Sequence, residues 1–458
     1  MPETTQLAAF TARMDLRACP PEVVHQAKRC VLETLGCALG GARTPLAETA
    51  ARAARSLGEG GCATVLGQGL HTAPDRAAFL NGVAANALDF DGGIVRQGHY
   101  GPTVVGAALA AAERLQATGD RLLAAVVAGY EVVARVTSAL RASPERRSLV
   151  SGYGPHQGFG AVAAAGNLLG LDTERMVHAF GLCGAFAPVP STKGCNWDNR
   201  PLSWTKDMVA WPSMSGLNAA FLAEAGFLGP RTLFEGDRGF FRMAGSDRYD
   251  AGLLVAGLGR DFRILDLYFK PYPCCRWIHA ALDGVRQILA RRGWRGDQVA
   301  AVRVGVAREV MDDLSDAAPG NLVDAEFSIP YSAAMLLLGR EPGPAWHAPG
   351  LTGAAEVRAA MARISVVHDP GLEALFEERS IVGAQVRVTG PDGTEDEARV
   401  ETTYGDVQQP MTDSDLDRKF RRLADGVIPG PNADAALEFI WNLERLDRIG
   451  ALTALLEG

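Results

Sequence analysis

Asn86-Ala87-Leu88-Asp89-Phe90-Asp91 ends an apolar stretch with two carboxylates, and the glycine-rich run that follows carries His99 near its far end. A carboxylate pair at a helix end beside a loop histidine suits proton transfer, and Asp89, if it lies inside the helix, needs a partner. A helix terminus followed by a solvated turn would have the same spacing. In a second segment, Gly152 to Gly160, His156 sits among glycines that run into an alanine-rich helix. Backbone N–H groups at such a start can hold an anion, although the Lys-Ser/Thr of a phosphate loop is missing. A tight interhelical turn is the competing reading. In the third, Ser203 to Gly216, Lys206 is a carboxylate binder or, if desolvated, an acid/base group; otherwise it is a surface charge. The fourth, Phe269 to His279, gathers Lys270, Cys274, Cys275, Arg276 and His279 where the character of the chain changes. Domain junctions favour ligand sites, though a solvated Pro-rich connection has the same composition. Cys274, Cys275 and His279 make a poor chelate, because adjacent cysteines rarely bind one ion together, so no metal is expected.

Elements must position these groups. The chain has 458 residues, 47% hydrophobic and 21% charged, which bespeaks two or three folded domains and argues against disorder. A net charge of -8 gives no general attraction to nucleic acid or to an anionic membrane. An anionic small molecule would need a local cationic pocket. The longest apolar run, roughly Leu122 to Ala134, reads as too short for a bilayer, and no secretory signal opens the chain, so a cytoplasmic location is expected. Eight cysteines without a CxxC pair offer no iron–sulfur pattern, and most are expected to be reduced and buried.

The first half reads as successive helices. Pro20-Pro21 opens one that Gly40-Gly41 closes, and Asp75–Leu88, Thr103–Leu115, Leu122–Leu140 and Gly158–Leu169 follow. Their small side chains predict close helix packing. Near residue 265 the pattern changes: Val299–Val306 and Ile364–Val367 read as strands, Ala325–Leu338 as a buried helix. Two alternating runs around Pro391-Asp392-Gly393 predict a hairpin over 384–403. Helical periodicity returns from Asp413. The expected fold is mainly α: a discontinuous all-helical domain (1–265 and 405–458) with an inserted smaller α+β domain (266–404).

Taken together these segments resemble the MmgE/PrpD family, which includes 2-methylcitrate dehydratase, cis-aconitate decarboxylase and iminodisuccinate epimerase. The likeness spans the chain. It rests on Asn86-Ala-Leu-Asp-Phe-Asp91, Ala219 to Pro230, Lys270-Pro-Tyr-Pro with His279, and Ala325-Glu-Phe-Ser-Ile-Pro-Tyr331. The resemblance implies a homodimer with a metal-free, cofactor-free site in the cleft beneath an α+β lid. It implies that Asp89, His99 and His156 are polar active-site residues, that Tyr331 faces the cleft, and that Cys275 or His279 reaches it. Lys206 corresponds to the family's substrate-carboxylate lysine. One departure is clear: the family loop commonly reads Asp-Phe-Asp-Asp-Thr-His, and here Gly92-Gly93-Ile94 replaces its last three residues.

The implied chemistry moves a proton on carbon next to a carboxylate of a small-molecule substrate. His99 or His156 would handle that proton, with Asp89 orienting an imidazole and Tyr331 or His279 as further acid/base candidates. Lys206, Lys270, Cys275 and Arg276 are the candidates for substrate binding. The leading expectation is a lyase, dehydratase or decarboxylase, on a small polycarboxylate or related hydroxy acid. An isomerase or epimerase using the same abstraction is the alternative, and a non-catalytic helical binding protein is the third.

Overall fold

The computed structural model describes all residues except Glu59, Gly152, Tyr153, Asn196 and 205–208. Lys206 therefore lies outside the described residues. Helices dominate: α1 (Pro21–Gly41), α2 (Pro74–Asn86), α3 (Gly101–Leu115), α4 (Gly119–Ala139), α5 (Gly154–Leu168) and α6 (Ala210–Glu224) form the body of the first half. Proline at the first helical positions of α1, α2 and α3 sets φ where no N–H partner is needed, so each starts where its sequence punctuation lies. Alanine and glycine line the crossings. A Cβ on Gly129 of α4 would meet the Gly160 carbonyl of α5 at 2.8 Å, so these two helices approach to backbone contact.

The apolar run read as too short for a bilayer belongs to α4, which at 21 residues is long and apolar enough by length and composition to cross one. The sequence estimate stopped at Ala134, short of the last turn. In the fold 89% of the helix's most apolar stretch is buried, as in the core helix of a globular body.

From α7 (His279–Arg292) onward the chain builds a four-stranded sheet. Strands β1 (Ala301–Val306), β2 (Ile364–His368), β3 (Ala384–Thr389) and β4 (Glu395–Val400) lie in the order β2-β1-β3-β4. β2 runs parallel to β1, whereas β1–β3 and β3–β4 are antiparallel. The hairpin forms as its Asp-Gly turn predicts, with Gly393 at φ 79°. The segment expected as one helix over 325–338 is broken. A short helical turn ends at Glu326, and α8 (Ile329–Leu337) starts anew because Ser328 caps the Tyr331 N–H and Pro330 fits the first turn. The helix α9 (Pro370–Arg379) follows β2, and α10 (Asp413–Ala424) and α11 (Gly430–Trp441) end the helical series.

Buried apolar side chains fall into two clusters. One joins the first-half helices to Leu416, Phe420 and Leu423 of α10 and to Leu437 and Ile440 of α11. The other holds the sheet, α7 and α8 around Val302, Val304, Val386 and Trp346. The fold is thus mainly helical, with a smaller sheet-containing part.

Candidate active site

Between the two clusters lies a cavity of about 310 Å³. Asp89, His99 and His156 reach it from the helical side, Cys275 and Arg276 from the start of α7.

The Asp89–Asp91 turn follows α2, and Asp89 takes a left-handed backbone (φ 45°), which aspartate tolerates better than most residues. Its carboxylate is buried and accepts a bond from Lys270 Nζ at 2.9 Å, and the same ammonium donates to the Asp89 carbonyl at 2.7 Å. Lys270 is fully buried. Burial is the largest influence and opposes its charge, but Asp89 together with Tyr268, Asp91 and Cys275 outweighs it and holds the ammonium well above the ordinary lysine pKa. Lys270 does not line the cavity. The expectation that it binds substrate is therefore corrected: it is fully buried outside the cavity lining, paired with Asp89.

His99 is held by the second carboxylate. Its Nδ1 lies 3.0 Å from Asp91 Oδ2, and its Nε2 lies 3.8 Å from Asp89 Oδ1. Asn86 donates to the other Asp91 oxygen at 2.9 Å, which fixes the carboxylate plane. Burial works against an imidazolium here, and so does Lys270. The charge and hydrogen bond of Asp91 prevail, and the pKa of His99 lies above the ordinary histidine value. For Asp91, burial pulls upward, yet His99 and Lys270 bring the net shift below the usual carboxylate range.

His156 is opposite in character. It lies in the first turn of α5, and burial depresses its pKa to about 4, with a hydrogen bond to the Gln97 backbone offsetting part of the effect. One neutral and one readily protonated imidazole thus share a cavity wall, a division of labour that acid–base catalysis uses.

The loop from Gly92 to Gly98 explains its glycines. Gly93 pairs with Tyr268 and Ile94 with Gly98 in isolated bridges. A Cβ at Gly92 would stand 2.3 Å from the Tyr268 carbonyl, and one at Gly93 2.2 Å from that of Gly98. Side chains at 92 and 93 would force the backbones apart, so glycine is needed at both positions of this loop.

Cys275 and Arg276 line the cavity. Arg276 donates to Asp406 at 2.7 Å and lies over the Tyr268 ring, 4.9 Å from its centroid. His279 does not reach the cavity: it is fully buried, its Nε2 3.3 Å from the Cys274 carbonyl, and burial holds it neutral far below the ordinary histidine value. Tyr331 is also elsewhere. Its hydroxyl donates to the Trp346 carbonyl within the second apolar cluster, because Pro330 and the Ser328 cap turn that face of α8 inward. The expected cleft-facing roles of both are corrected by this placement.

Asp91 completes the group, and its place in the Asp-Phe-Asp motif was the signal for it. Tyr268, just before the Phe269–His279 segment, also lines the cavity. Arg147 and Lys193 also face the cavity, Lys193 with Asp313 at 3.3 Å, and neither sits in a segment with any chemical signature.

Asp89, Asp91 and His99 are also the kind of group that holds a metal ion, with possible ligand atoms within 4.8 Å of one another. Part of this set is already engaged within the protein. Lys270 supplies the positive charge on Asp89, and Asp91 takes His99 Nδ1.

Comparison with known proteins places the chain among named relatives. The chain is 26% identical over 450 residues to human cis-aconitate decarboxylase, covering 95% of this chain and 90% of that protein. It is 25% identical over 489 residues to cis-aconitate decarboxylase of Aspergillus terreus, covering 99% and 95%. The mouse enzyme of that name is 24% identical over 454 residues, covering 95% and 89%. With the MmgE/PrpD N-terminal domain matched by residues 5–250 and the MmgE/PrpD C-terminal domain by 272–445, the chain belongs to the MmgE/PrpD family.

Proposed function

We propose that this protein is a metal-independent lyase that decarboxylates or dehydrates a small polycarboxylate by proton transfer at a carbon next to a carboxylate. The observation that carries the reading is the pair His99 and His156, on one cavity wall with opposed protonation. Arg147, Lys193 and Arg276 in the same cavity supply cations for the carboxylates of such a substrate.

Decarboxylation uses His99 of this pair, and dehydration uses both. In decarboxylation, loss of CO₂ from an allylic carboxylate shifts the double bond and leaves charge on a carbon beside another carboxylate. The His99 imidazolium protonates that carbon, and Asp91 stabilises the imidazolium before transfer. In dehydration, neutral His156 takes the carbon-bound proton while His99 protonates the departing hydroxyl. Asp89, fixed by Lys270, faces Nε2 of His99 and orients the proton that moves. The relatives named cis-aconitate decarboxylase favour the first course.

Proton NMR in D₂O with cis-aconitate, citrate, 2-methylcitrate and iminodisuccinate tests the reading. A decarboxylated or newly olefinic product supports it. Deuterium entry or inversion without elimination would replace it with an isomerase, and a folded protein inert toward every compound would remove the polycarboxylate lyase assignment.

A further inference from the structure

We infer that Lys419, on α10 near the far end of the chain, is a positioning residue for the acid–base group, holding the Asp89–Asp91 turn against the body of the fold. The inference rests on the proposed role of His99 and Asp91. Its basis is a contact that spans the sequence. Lys419 Nζ donates to the Phe90 carbonyl at 2.6 Å and to Glu33 Oε1 of α1 at 2.7 Å. The ammonium also lies 4.1 Å from the centroid of the Phe90 ring. Lysine and glutamate are both nearly shut off from water, with side chains 6% and 3% exposed.

Phe90 is the residue between the two aspartates. Lys270 holds the carbonyl and carboxylate of Asp89, and Lys419 holds the next carbonyl along the chain. Two ammonium groups, arriving from residues 270 and 419, therefore grip successive peptide oxygens of one turn. Such anchoring is needed here. Asp89 has a positive φ, and the loop beyond Asp91 is glycine at two successive positions, so neither local propensity nor side-chain bulk fixes the direction in which Asp91 points. The carbonyl at 90 lies one residue from the carboxylate that holds His99. A shift there moves Asp91 directly, and a misplacement of about 1 Å in a catalytic group costs on the order of a hundredfold in rate.

A lone Lys419→Met would strand the buried Glu33 carboxylate and confound placement with unfolding. The test is therefore Glu33→Gln/Lys419→Met, which removes both charges at once and leaves the net charge unchanged. Should that pair fail to fold, Glu33→Gln/Lys419→Gln keeps two amides able to bond each other, while its side chain at 419 is too short to span to Phe90. The first readout is the ring titration of His99, followed by heteronuclear NMR and assigned with His99→Gln. Because the net charge is unchanged, release of the turn is expected to appear as a lower His99 midpoint, Asp91 having moved off the ring. The second readout is turnover, with kcat expected to fall about ten- to hundredfold and KM to change little.

A folded variant with the wild-type His99 midpoint overturns the inference, whatever its turnover. A lowered midpoint supports it. If the midpoint falls but wild-type protein turns over none of the polycarboxylates, the positioning role stands and the lyase reading falls.

Discussion

Lys270 and Asp89 make a buried ion pair whose two charges stabilise the fold only together. The lysine side chain is fully buried, the aspartate side chain is 2% exposed, and they meet at 2.9 Å. Lys270→Met keeps the length and apolar volume of the stem but leaves the carboxylate without its ammonium, facing His99 across 3.8 Å. Breaking such a pair from one side costs about 3–5 kcal/mol, since the remaining charge stays desolvated. Asp89→Asn leaves the ammonium stranded and should cost a similar amount. The double substitution Asp89→Asn/Lys270→Met removes both charges, and its stability is expected within about 1 kcal/mol of the wild type. For a cooperative unit of a few hundred residues the single changes correspond to about 5–10 °C in Tm. Differential scanning calorimetry of the four proteins at neutral pH makes a complete cycle. The reasoning is refuted if Lys270→Met alone melts within about 2 °C of the wild type, or if the two single effects add in the double variant. Additivity would mean that the two groups do not depend on each other in solution.

Three further outcomes follow from the site. For kcat/KM, activity should fall at a pH above the ordinary histidine value as His99 loses its proton, and in the dehydration course it should also rise as His156 loses its own near pH 4; Asp91→Asn should move the alkaline limb to lower pH, and an unmoved limb would detach it from His99. Folding should also respond to acid. Burial keeps His156 and His347 neutral down to about pH 4, whereas an unfolded histidine takes up its proton near 6.5, so stability present above 6.5 is lost between 6.5 and 4. Each contributes up to about 3 kcal/mol over that window, and a Tm that is flat from pH 7 to 4.5 would contradict this. Arg147→Gln should raise KM for a polycarboxylate about three- to tenfold with kcat nearly unchanged, a modest effect because the arginine is solvent-screened; an unchanged KM would take Arg147 out of substrate binding.

What could be read in the sequence was local in origin. Proline and glycine mark the ends of α1, and the Asp-Gly turn marks the β3–β4 hairpin, because turn chemistry is written in neighbouring residues. The same is true of Asp89, Asp91 and His99, which lie within eleven residues of one another. What escaped was set by direction and by distance along the chain. Tyr331 and His279 have side chains suited to catalysis, but Pro330 and the Ser328 cap turn the first inward, and the start of α7 buries the second. Lys270 stands in a segment rich in chemistry, yet only the fold shows that its charge is spent on a residue 181 positions away. Lys419 had only the weak signal of lysine's scarcity in this chain: a lysine at a regular place in an amphipathic helix has the composition of a solvated surface. Its burial follows from α10 packing across α1, a contact made by Leu416, Phe420 and Leu423 and sealed at Gly36, where a Cβ would stand 3.1 Å from the Phe420 ring. Residues that meet substrate sit in motifs because several must lie close together. Residues that hold the motif in place can come from anywhere the core brings them, and in this fold the two lysines that grip the Asp89–Asp91 turn come from the other half of the chain.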